Sequence, residues 1–95
     1  MTGVSRDEAS ADPVVRELRE QIAAADRELV ETVNRRVELV RRLKEHKTER
    51  GLEFVDRGQE ERLVARLAET NRGPLSEDGL RELYRTLLEV VKREA

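Results

Sequence analysis

DPVVRELREQIAAADRELVETVNRRVELVRRLKEHKTERG, residues 12–51, decides the fold. Asp12 before Pro13 is a helix start: a carboxylate that can accept from the first unpaired N–H groups, then a ring whose fixed φ suits the first helical position. No Gly or Pro follows until Gly51, the residue type that tolerates left-handed backbone just past a helix end. The stretch predicts one helix of about 38 residues, about 57 Å long, whereas a compact chain of this size is only about 32 Å across. Such a helix overhangs its own domain. Its apolar residues Leu18, Ile22, Ala25, Leu29, Val33, Val40 and Leu43 recur at spacings of three and four along much of its length, so the overhang needs cover. A second copy of the chain is the simplest cover.

Outward from this helix the pattern stays helical. Residues 1–12 read as a polar, aperiodic, disordered lead-in, and 13–95 as one helical domain. After Gly51-Leu52-Glu53-Phe54-Val55, Asp56 can cap a second helix, with Gln59 completing a capping-box pattern and Leu63, Val64 and Leu67 on its inner face. Asn71-Arg72-Gly73-Pro74 breaks it. Ser76 caps a third helix, with Glu77 and Asp78 in its first turn and an apolar stripe of Leu80, Leu83, Tyr84, Leu87, Leu88 and Val91. The fold class is all-α, one long helix and two shorter ones.

Composition excludes several functions. The 95 residues contain no cysteine, so disulfides and thiolate metal sites are ruled out, and the lone His46 cannot build a zinc site. Basic and acidic residues, 19 and 21, interleave and leave a net charge of −2, so no one-signed basic face is offered to nucleic acid. Phe54 and Tyr84 are too few aromatics for a base-stacking platform. No apolar run reaches the roughly 18 to 20 residues of a membrane span, and Met1-Thr2-Gly3-Val4-Ser5 has no signal-peptide character. A soluble, cytoplasmic protein is expected.

The long helix also carries charge where its core should be. At 100° per residue, Ile22, Ala25, Leu29, Val40 and Leu43 fall within about 40° of Leu18, and Arg36 and Lys47 fall in the same window. Desolvating an unpaired cation costs several kcal/mol. Either Arg36 pairs with an internal glutamate and Lys47 snorkels near the helix end, or the two mark an anion site. Arg19, beside Asp26 at the stripe's edge, lies about 26 Å from Arg36 along the helix. An antiparallel partner helix could deliver Arg19 of a second subunit to Arg36 and Lys47 of the first, giving two equivalent composite sites.

Leu18-Arg19-Glu20-Gln21-Ile22, Asp26, Arg35-Arg36, Lys47 and Asp56 with Glu60 together resemble the all-α chorismate mutase family over residues 14–95. Asn71-Arg72-Gly73-Pro74-Leu75-Ser76 is similar to the turn of variants fused to, or associated with, the first enzyme of the shikimate pathway. The resemblance implies an intertwined homodimer of three-helix chains. It implies that the partner's Arg19 and own-chain Arg36 bind the carboxylates of a dianionic substrate, with Lys47 at the breaking ether bond. It places Asp56 and Glu60 at the substituent on ring carbon 4 and Gln59 and Val91 beside the substrate, with Lys47, Arg36 and Glu60 as catalytic residues. The reaction implied is the [3,3] pericyclic rearrangement of chorismate to prephenate in aromatic amino acid biosynthesis, with no cofactor. An activating shikimate-pathway enzyme is a further partner that the resemblance allows.

Two positions depart from the family pattern. In Asp56-Arg57-Gly58-Gln59-Glu60, Gln59 stands where the family has an arginine, and Ala95 stands where it has Gln or Glu, with Glu94 one residue away. Three readings follow: a weak or partner-activated chorismate mutase, a 4-amino-4-deoxychorismate mutase of secondary metabolism whose cationic substituent prefers a neutral Gln59, or a non-catalytic regulatory dimer.

Overall fold

The computed structural model describes residues 11–53 and 57–95. These form three α-helices, α1 (Pro13–Glu49), α2 (Arg57–Thr70) and α3 (Glu77–Glu94), with no strand among the described residues. The expected order of one long and two shorter helices is what forms. The expected cap at Asp56 lies outside the described residues, as does the lead-in up to residue 10.

The ends of α1 follow from the residues that bound it. Asp12 Oδ1 accepts from the N–H groups of Val14 at 2.8 Å and Val15 at 3.1 Å, and the Asp12 carbonyl accepts from Arg16 N–H at 3.0 Å. At the other end Gly51 has φ 67°. Its N–H donates to the Thr48 carbonyl at 3.2 Å, while Leu52 N–H donates to the Lys47 carbonyl at 2.8 Å. This pair of bonds is the Schellman closure, which needs a left-handed residue between them. Nothing lies within 4 Å of where a Cβ on Gly51 would sit, so backbone conformation and not crowding demands glycine there.

The chain divides into two compact units, Met1–Asn34 and Arg35–Ala95, with the boundary inside α1. In the first unit, Leu18, Ile22 and Leu29 are 52%, 60% and 59% exposed. All three sit on the apolar stripe read from the sequence. No residue of α1 is fully buried.

In the second unit α2 and α3 pack together as a helical hairpin. Asn71 shapes the turn, its Nδ2 donating to the Leu75 carbonyl at 2.8 Å and its Oδ1 accepting from Gly73 N–H at 3.1 Å. Ser76 then caps α3, its Oγ accepting from Gly79 N–H at 3.0 Å. Acids Glu77 and Asp78 in the first turn and bases Lys92 and Arg93 in the last complement the helix dipole. Leu63, Val64 and Leu67 of α2 are half-buried, and Leu80 and Val91 of α3 are the buried apolar side chains among the described residues. Leu83 does not join them: it lies about 60° around α3 from Leu80 and is half-exposed.

A bond from Arg41 Nη2 to the Glu94 carbonyl, 2.8 Å, ties α1 to the end of α3. The last carbonyls of a helix have no partner within it, and a guanidinium supplies one. No helix among the described residues is long and apolar enough to cross a membrane.

Candidate active site

Where α1, α2 and α3 meet in the second unit they leave a cleft of about 240 Å³. Val40, Leu43, Leu63, Leu88 and Val91 provide its apolar lining, and Arg36, Lys47, Gln59, Glu60 and Lys92 its polar groups. The contribution of α1 is a matter of spacing. Arg36, Val40, Leu43 and Lys47 are separated by four, three and four residues, so one face presents two apolar floor residues between two cations. The first turn of α2 brings Gln59 and Glu60, and the last two turns of α3 bring Leu88, Val91 and Lys92.

Arg36 is half-buried and makes no ion pair or side-chain hydrogen bond with any described residue. An internal glutamate partner, one of the two expectations for this residue, is therefore not found among them. Lys47 is also half-buried, and its backbone carries the Schellman bond that ends α1. Glu60 Oε1 lies 2.6 Å from the Nζ of Lys92, with the two side chains 30% and 39% exposed. Gln59 is exposed, and its Oε1 accepts from Arg62 Nη2 at 3.3 Å.

Five of the residues named from the sequence thus come together: Arg36, Lys47, Gln59, Glu60 and Val91. Arg19 sits on the exposed surface of α1 in the first unit, and Asp56 lies outside the described residues. The Glu94 carboxylate meets Arg93 Nε at 3.3 Å, and Glu94 is not among the residues lining the cleft. Ala95 closes α3, its N–H bonded to the Val91 carbonyl at 2.8 Å.

Nothing in the sequence pattern singles out Lys92. A lysine in the last turn of a helix is what the helix dipole favours, so its position alone carries no functional signal. A helical wheel places it about 40° beyond Leu88 at the edge of the apolar stripe, and that proximity was the available hint.

Two α1 cations thus flank an apolar floor, an arrangement whose chemistry suits a compact anion with an apolar body. The sequence model of the chorismate mutase type II family matches residues 18–95, and the chain belongs to that family, whose enzymes are isomerases. Two solved structures of chorismate mutase from Thermus thermophilus share the fold. Form I is 27% identical, with 81% of this chain and 96% of that chain covered at a TM-score of 0.78. Form II is 26% identical, with 83% and 90% covered at a TM-score of 0.79. No curated protein matches the sequence.

Proposed function

We propose that this isomerase converts chorismate to prephenate in aromatic amino acid biosynthesis, working in the cytoplasm as an intertwined homodimer. The observation that carries the reading is Arg36, a half-buried guanidinium in the cleft without an anionic partner among the described residues. Membership of the family and the likeness to the Thermus enzymes support the choice of substrate.

The reaction breaks the ether C–O bond while a C–C bond forms, with electron pairs moving in one ring and no net proton transfer. A site for it needs shape and charge and not a nucleophile. Arg36, with Arg19 of the partner subunit, holds the two carboxylates so that the enolpyruvyl arm lies over the ring. The Lys47 ammonium faces the ether oxygen as it gains negative charge. Asp56 and Glu60 face the substituent at carbon 4, and Val91 contributes apolar wall. Exposed Leu18, Ile22 and Leu29 on the first unit's stretch of α1 favour the dimer, since each forgoes apolar burial worth about 1–2 kcal/mol until covered.

The test is direct: the purified chain is supplied with chorismate, alone and with the first shikimate-pathway enzyme, and prephenate is measured. Lys47→Ala is expected to lower kcat by about 100-fold or more with a smaller change in KM. An unchanged kcat overturns the role given to Lys47. The neutral Gln59 favours a second reading, 4-amino-4-deoxychorismate as substrate, and faster loss of that compound than of chorismate would establish it.

A further inference from the structure

We propose that Lys92 determines substrate specificity by positioning and neutralising Glu60, so that the cleft selects a hydroxyl over an ammonium at ring carbon 4. The inference rests on the proposed function, in which Glu60 faces that substituent.

The two side chains sit 2.6 Å apart, and both line the cleft. A pair this accessible to solvent adds little to stability, so the fold does not account for it. Its effect on a ligand is larger. A lone carboxylate attracts an incoming ammonium, whereas a carboxylate joined to Lys92 presents a dipole whose field falls off faster, and the Lys92 charge itself repels a second cation. A neutral hydroxyl needs only an acceptor. Lys92 engages Oε1 of Glu60, and a carboxylate has two oxygens with about four acceptor sites, so Oε2 remains for a donor from the substrate. The same pair borders a second, more open cleft of about 340 Å³. Removing Lys92 therefore leaves Glu60 hydrated from that side, and the variant retains its fold.

The experiment uses the full chain as wild type, Lys92→Met, Lys92→Arg, Glu60→Gln and the double variant Glu60→Gln/Lys92→Met. Each is assayed for kcat/KM on chorismate and for the inhibition constant of 4-amino-4-deoxychorismate against it. Lys92→Met is expected to shift preference toward the amino compound by about tenfold, with the inhibition constant of that compound falling and kcat/KM on chorismate falling as well, because Glu60 loses the group that positions it. Lys92→Arg should stay within about twofold of wild type because the charge is kept. In the Glu60→Gln background, Lys92→Met should give a clearly smaller shift. A preference moved by Glu60→Gln but not by Lys92→Met overturns the role of Lys92 and leaves Glu60 at carbon 4. A preference moved by neither overturns the placement of Glu60, and the inference with it. Failure of the wild type to turn over chorismate overturns the proposed function itself.

Discussion

The N–H of Leu52 donates to the carbonyl of Lys47 across 2.8 Å, so a residue that lines the cleft also accepts the bond that closes the end of α1. The bond exists because Gly51 turns the chain at φ 67°. Gly51→Ala keeps the space but not the conformation, and is expected to cost about 1 kcal/mol in denaturant unfolding, with a fall in kcat larger than in substrate affinity. Gly51→Asn, whose side chain tolerates left-handed backbone, should recover part of both. Full kcat in a destabilised Gly51→Ala would separate the turn from the chemistry.

Arg36 should show the opposite balance of stability and activity. Its charge is half-buried without a partner among the described residues, so Arg36→Met removes a desolvation cost while keeping most of the apolar stem. The melting temperature is expected to hold or rise, while kcat/KM on chorismate drops by about 100-fold or more through loss of a charge-assisted carboxylate contact. A large fall in melting temperature would assign Arg36 to the fold.

Composite sites make a prediction about mixtures. If Arg19 serves the partner's cleft, Arg19→Ala and Arg36→Ala homodimers are both nearly inactive, yet a mixed dimer of the two contains one intact site. Random exchange of subunits then restores about a quarter of wild-type activity, since about half the dimers are mixed and each has one good site of two. No recovery after denaturation and joint refolding would overturn the composite site.

Gln59→Arg restores the family's residue at a position that lines the cleft. Chorismate turnover is expected to rise by about tenfold, the order of one added charged hydrogen bond. A rise for chorismate alone fits the primary reading, and a fall for 4-amino-4-deoxychorismate follows from repulsion of its ammonium. Steady-state assays on both compounds distinguish them.

The parts of this fold that were legible in sequence are those fixed by local chemistry. Asp12-Pro13, Gly51 and Ser76 set helix ends through bonds to residues two to five positions away, and the structure shows those bonds. Arg36 and Lys47, which both line the cleft, are legible because a helical period makes a cation on an apolar stripe stand out. Lys92 is not legible in this way because its contact is with Glu60, on a different helix. Leu83 shows how far periodicity reaches: it gives a direction around α3, but packing against α2 covers only part of that stripe and leaves Leu83 exposed, as Leu18 and Ile22 are on α1.

The Arg41 bond to the Glu94 carbonyl joins residues 53 positions apart. Closing a loop of that size costs about 3.5 kcal/mol of chain entropy beyond a constant, whereas the α2–α3 hairpin closes over the short Asn71 turn. Local contacts form first when folding follows entropy. On this ground the wall carrying Glu60 and Lys92 is expected to assemble before α1 brings Arg36 and Lys47 to it, and pulsed hydrogen exchange should then protect α2 and α3 ahead of the cleft.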